Sequence, residues 1–225
     1  MAGILSSGIT HAQEVEEPIP SVEILGNPDK KALSFFLKGL DTFEKKKALA
    51  PHAEARFLVV NKNKSDQTDV TLEYRGSDGS ASVLVSGGIF VLPQRDVATP
   101  NNKEIVSNRK AGSLRWGPSV QTPGLPPNER RIGDLRMECE MKWAMEYDDI
   151  SFITRNIFRM AGGPCSSSKI SVSFFSLKKI RSATILFGQE KKNIVVGKDG
   201  YEYFSPIYDG DISNEAVITF EYDAD

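Results

Sequence analysis

Histidine and cysteine are scarce in this chain, with two of each among 225 residues. Serine- or cysteine-based nucleophilic chemistry uses a histidine as its general base. His11 lies in a short N-terminal apolar stretch, and His52 follows the helix-stopping Pro51. No Gly-x-Ser-x-Gly elbow accompanies either. With no CxxC pair and no histidine near a cysteine, a zinc site is excluded as well. The phosphate loop G-x-x-x-x-G-K and the dinucleotide fingerprint G-x-G-x-x-G are both missing. No apolar run reaches the roughly 18 residues that span a bilayer as a helix. An excess of one charge is also lacking. The formal net charge is −2 and the pI is near 5.8, which gives no field to draw in nucleic acid. The oxygen-bearing run Asp209 to Glu215 follows half of a calcium-loop pattern. It lacks the central glycine and has Phe220 where the closing glutamate belongs, so it reads as a turn. No cofactor and no metal is implied.

What is present is a pattern that occurs twice. Gly88-Ile-Phe-Val-Leu-Pro93, then a polar stretch, then Glu104-Ile-Val106 forms the first copy. Gly200-Tyr-Glu-Tyr-Phe-Ser-Pro206, then a polar stretch, then Glu215 to Phe220 forms the second. Two alternating apolar runs precede each copy: Val70, Leu72, Tyr74 with Val83, Val85, and Ala183, Ile185, Phe187 with Ile194, Val196. Alternation with period two marks half-buried strands. The expected class is therefore α+β, mainly β, with two related antiparallel β-sandwich-like lobes. In strand order these modules resemble the small β-sandwich accessory modules of exported bacterial proteins, without a shared motif.

Two helices interrupt the strands. The spacing of Leu33, Phe36, Leu37, Leu40 and Phe43 predicts an amphipathic helix, begun by Asn27-Pro28 and stopped by Pro51. Ile150, Ile153, Ile157 and Met160 form the stripe of a second, begun by Asp148-Asp149 and ended by Gly162-Gly163-Pro164. Between them, Leu135, Met137, Cys139, Met141, Trp143, Met145 and Tyr147 alternate with Arg136, Glu138, Glu140, Lys142 and Glu146. That alternation predicts one long strand with a wet face, although Met, Glu and Lys favour helices. The expected divisions are a signal-like remnant and flexible arm over 1–20, helix plus first β-module over 21–108, a Pro/Gly/Arg-rich loop over 109–134, and long strand, helix and second β-module over 135–225.

The N-terminus has two readings. Thr10-His11-Ala12 followed by Gln13-Glu14 fits a signal-peptidase site, while the basic region such peptides carry is missing. The first reading makes the protein periplasmic or secreted; the second leaves it cytoplasmic. In the exported case a Cys139–Cys165 disulfide is expected, closing a loop of roughly 25 residues for roughly 3 kcal/mol. In the cytosol the two would be buried thiols.

Candidate site residues lie in and beside the long loop. Arg115 and Trp116, with Arg130 and Arg131, offer bidentate anion binding and stacking. The alternative is that Trp116 pins the loop to the core. No catalytic residue is assigned, although Glu138 and Glu140 on one strand face would sit ~7 Å apart, a spacing found for carboxylate pairs in glycosidases. Asn63-Lys64-Ser65 matches a glycosylation sequon. The expected function is a non-catalytic exported binding or accessory protein that recognises a peptide, glycan or protein partner. The alternatives are a carboxylate-dependent hydrolase and an assembly subunit that pairs through edge strands. No nucleic acid partner and no integral membrane segment is expected.

Overall fold

The structure, a computed structural model of the chain, describes residues 26–63, 70–77, 79–92, 103–187 and 190–224. The signal-like stretch and flexible arm, the Val22–Leu25 run that reads as a strand, most of the polar 62–69 run that reads as a turn, Asp78 of the Asp78-Gly79 hairpin signal and two of the three sequon residues lie outside them. The described chain is mainly β, with four antiparallel sheets and three helices.

The first lobe begins with β1 (Pro28–Ala32) and α1 (Leu33–Lys45). Its other strands are β2 (Glu54–Asn61), β3 (Leu72–Gly76), β4 (Gly79–Val83), β5 (Val85–Ser86), β6 (Ile89–Phe90), β7 (Glu104–Lys110) and β8 (Leu114–Gln121). They form one sheet of order β1-β7-β3-β4 and a second of order β5-β6-β2-β8. Both sheets and α1 enclose a single core. Phe36 of α1 lies at its centre, with the rings of Phe57, Phe90 and Trp116 at 5.0, 5.6 and 5.9 Å, edge to face.

Two expectations change here. Asn27-Pro28 does not begin the helix; β1 comes first, because residues 28–32 pair with β7, and α1 begins only at Leu33. The region 109–134 is not one long loop. β8 pairs with β2 over eight registered positions, from Glu54↔Gln121 to Asn61↔Leu114. Pro118 is tolerated because β8 is the outermost strand of its sheet, where a missing N–H breaks no ladder.

The second lobe contains β9 (Glu129–Arg131), α2 (Ile132–Glu146), α3 (Phe152–Met160), β10 (Ser173–Phe175), β11 (Ile180–Phe187), β12 (Glu190–Asn193), β13 (Val195–Val196), β14 (Glu202–Phe204) and β15 (Val217–Tyr222). One sheet has the order β12-β11-β15-β9 and the other β10-β14-β13. Strand for strand, β9-β15-β11-β12 repeats the order β1-β7-β3-β4, and β13-β14-β10 repeats β5-β6-β2. α1 follows β1 directly, and α2 follows β9 directly. Only β8 has no counterpart among the described residues of the second lobe.

The expected long strand from Leu135 is α2, and its alternation has a physical reason. A step of two residues along a helix is a turn of about 200°. Apolar residues two apart therefore fall on opposite faces, and every second one shares a face. Met137, Met141 and Met145 enter the first lobe's core. Ile132, Leu135 and Cys139 enter the second. A helix buried on two opposite sides needs this pattern. α1 and α2 approach closely at Gly39, where a Cβ would stand 2.7 Å from Met145 Sδ.

The remaining helix, α3, departs from its expected role. Ser151, not Asp148 or Asp149, caps it by accepting from Thr154 N–H. Gly162, at φ +92°, turns the chain out, with Gly163 N–H bonded back to Phe158 O at 2.8 Å. The expected apolar stripe does not enter a core: Ile153, Ile157 and Met160 are 72, 52 and 81% exposed, as is Phe152 beside them at 70%, and Ile150 lies half-buried ahead of the helix. α3 is held instead from its other side. Phe158 packs on Trp143, and Arg159 donates to the Tyr147 hydroxyl. Just beyond it, Cys165 is joined to Cys139 of α2 in a disulfide, as expected for an oxidised chain.

Candidate functional site: the cleft between the lobes

The outer face of the β5-β6-β2-β8 sheet does not meet solvent alone. It faces the second lobe across a cleft of about 280 Å³. The floor of the cleft carries Arg56 and Leu58 of β2 with Arg115, Gly117, Ser119 and Gln121 of β8. These β8 residues alternate with Leu114, Trp116 and Val120, whose side chains fill the first core. The opposite wall is β10 with the aromatic rings of Tyr203, Phe220 and Tyr222. α2 closes one end with Glu138 and Lys142, four residues apart on one helical face.

The candidate residues from the 109–134 region therefore meet in part. Arg115, Trp116 and Arg130 line this cleft, and Arg131 is not among its lining residues. Trp116 belongs chiefly to the core; it is buried, and its indole N–H donates to Asp29 Oδ1 at 3.0 Å. Arg115 donates to Glu202 Oε1 at 2.8 Å and lies over the Phe175 ring at 5.0 Å, tying β8 to the second lobe. Arg131 pairs with Glu215 at 2.6 Å. Arg130 is committed too, donating to Glu138 Oε1 at 2.6 Å and to Val120 O at 2.8 Å.

Glu138 and Glu140 do not form the carboxylate pair expected of a strand. On α2 they point about 200° apart. Glu140 pairs with Lys46 at 2.8 Å. Glu138 is buried and accepts from Val120 N–H at 2.8 Å as well as from Arg130. Burial pushes its carboxyl above the ordinary range, against the pull of Arg130 and the Val120 amide. Asp134, also buried, accepts from Thr122 N–H at 2.8 Å and from the Thr122 hydroxyl at 2.9 Å. Asp29 accepts from Leu114 N–H at 3.0 Å.

Asp29 and Glu138 share one task. Leu114, Trp116, Pro118 and Val120 turn their main-chain groups away from β2, toward the edge of the sheet. Asp29 caps the first of these amides, and Glu138 caps the last. Arg130 caps the Val120 carbonyl, and Pro118 has no N–H to cap. Side chains and a proline thus account for three of the four outward amide positions of β8, a common way to block unwanted strand pairing. Short sequence spacing could not reveal these caps, because Asp29 reaches its partners from 85 and 87 residues away.

The cleft retains cations with no acidic partner among the described residues. Arg56 is bonded to the neutral amide of Gln121, and its Nε has no partner. Lys142 and Lys178 line the cleft and make no ion pair among the described residues. The Tyr203 hydroxyl, fully buried on the wall, is also unpartnered, and burial holds its pKa well above the ordinary phenol value. Sequence reasoning missed Arg56, Lys142 and Tyr203, because only the packing of one lobe on the other brings them together.

A larger cavity of about 400 Å³ lies within the second lobe, beside β13 and residues 168–172. Aliphatic side chains and serines dominate it, and none of the candidate residues reaches it. His52 is exposed in a turn. Among the described residues no group of three or more His, Cys, Asp or Glu side chains is placed to hold a metal, and no helix is long and apolar enough to cross a membrane. No protein-family model, curated protein or solved structure matches the chain.

Proposed function

We propose that this chain is a non-catalytic binding protein that holds a peptide segment of a partner in the cleft between its lobes. One observation carries the reading: the cleft combines an aromatic wall with Arg56, Lys142 and Lys178, cations that lack acidic partners among the described residues. Such a site favours a segment bearing carboxylates, through charge and through bidentate bonding to Arg56. The buried carboxylates nearby, Asp29, Glu138 and Asp134, accept from the main-chain amides of Leu114, Val120 and Thr122, which favours a structural role for them. The matching strand orders support an internal duplication, in which two lobes of one design came to enclose a shared groove. The Cys139–Cys165 disulfide favours an oxidising compartment, periplasmic or extracellular.

Gly117 supplies a test. It lies in the cleft floor, and a Cβ there would meet nothing within 4 Å. Gly117→Phe should fill the groove with little cost to folding. Random peptides displayed on phage and panned against the intact protein should yield sequences rich in Asp and Glu. These should bind the wild type and bind Gly117→Phe at least tenfold more weakly, and added salt should weaken them further. Peptides that bind both proteins equally, or a library that yields none, would refute the reading.

A further inference from the structure

The two lobes differ at one place that bears on binding. In the first lobe β2 has β6 on one side and β8 on the other. In the second, β10 holds the place of β2, with β14 where β6 stands, and its other side carries no strand among the described residues. Ser176 N–H bonds to Tyr201 O at 2.8 Å, and Phe174 is registered on Tyr203. Main-chain direction alternates along an antiparallel strand. Ser173 and Phe175 therefore turn their N–H and C=O groups away from β14. No strand or capping side chain among the described residues meets those groups. The contrast with β8, closed by Asp29, Glu138, Arg130 and Pro118, is direct.

The open edge borders the cleft. Every residue from Val172 to Lys178 lines it, although neighbours in a strand point to opposite faces. A run of both parities borders a groove when the strand presents its edge. We propose that β10 receives an extended acidic peptide as an added strand, in the position that β8 occupies against β2. This rests on the peptide-binding reading above and adds its mode. The main chain of the peptide bonds to Ser173 and Phe175. Alternate side chains of the peptide face the floor and the end closed by α2, where Arg56 and Lys142 match carboxylates, and their neighbours face the aromatic wall.

The test uses the intact protein and a fluorescein-labelled, capped octapeptide of alternating Glu and Val. Binding is followed by fluorescence polarisation. Copies of the peptide carry a single N-methyl group at each position in turn. Strand addition predicts that methyl groups at alternate central positions weaken binding about tenfold, since each removes a donor and crowds the edge, while those between have little effect. Ser173→Pro deletes an outward N–H of β10 without touching the bonds to β14, as edge prolines do. It should weaken binding of the unmodified peptide by a similar factor at an unchanged melting temperature. Binding that Gly117→Phe abolishes, with no alternation in the methyl scan, would overturn strand addition and leave the cleft reading standing. A Lys-Val octapeptide that binds as well as the Glu-Val one would overturn the acidic preference. Self-association of the protein that Ser173→Pro removes would assign the edge to a second copy and also overturn the proposal. If the Glu-Val peptide does not bind while library peptides do, this mode falls alone; if neither binds, the cleft reading falls with it.

Discussion

Replacing Glu138 by alanine is expected to lower folding stability by about 3–5 kcal/mol, the cost of leaving a buried charge without its partner. Glu138 answers both Arg130, at 2.6 Å, and the Val120 amide, at 2.8 Å. Its side chain is 10% exposed and that of Arg130 is 19% exposed. The variant would strand a guanidinium and a main-chain donor in the seam between β8 and α2, where water reaches them poorly. Glu140→Ala is the control. Its pair with Lys46 is half-exposed on the lysine side, and such pairs contribute about 1 kcal/mol or less. Urea unfolding of both variants measures the contrast. Two carboxylates on a wet strand face would behave alike; on α2 they should differ by several-fold in cost. Similar small losses for both would contradict the capping role assigned to Glu138.

Loss of the Cys139–Cys165 bond should cost roughly 3 kcal/mol, on the loop-closure argument for a separation of this size. The bond spans 26 residues and links α2 to the segment just after α3. Its effect should be local as well as global. α3 buries no residue completely and keeps four large apolar side chains exposed, so few contacts besides Phe158 on Trp143 hold it. The Cys139→Ala, Cys165→Ala double variant should melt roughly 6–12 °C lower, at about 2–4 °C per kcal/mol for a chain of this size. Loss of helix signal should precede the main transition. A melting temperature indifferent to reduction would contradict this, and would remove the main support for an oxidising compartment.

Much of the architecture is legible in the sequence, for reasons that differ by element. β15 alternates over its own length, with Ile218, Phe220 and Tyr222 set between Thr219 and Glu221, so local pattern suffices. Gly162-Gly163-Pro164 stops α3 by its own conformation. α2 is the instructive failure. Period two is a strand signal only where one face is buried. Met137, Met141 and Met145 serve one core while Leu135 and Cys139 serve another, and a helix so placed shows the same alternation. Helix propensity, which favoured the right answer through Met, Glu and Lys, was outweighed by a period argument that assumed one core. Exposure of the α3 stripe is the converse case, since amphipathic spacing states which residues share a face and not what covers it.

The site was legible in part. Arg115, Trp116 and Arg130 stood out beside prolines, and the structure brings them to one cleft. Trp116 does so from within the core, held by Asp29. The proline count suggested a loop because Pro118 looks like a breaker until the strand is known to be outermost. Arg56, Lys142 and the β10 edge carry no local mark. Their proximity follows from the packing of two lobes, and an open edge is defined only by the strand that is missing beside it.

Amide hydrogen exchange on the intact protein, with and without the Glu-Val octapeptide, tests the central claim most directly. If the peptide adds to the open edge, the amides of Ser173 and Phe175 should exchange many-fold more slowly in its presence, while Leu114 and Val120, already capped by Asp29 and Glu138, should hardly change. Protection that leaves Ser173 and Phe175 exchanging as before, and falls elsewhere on the molecule, would contradict the account.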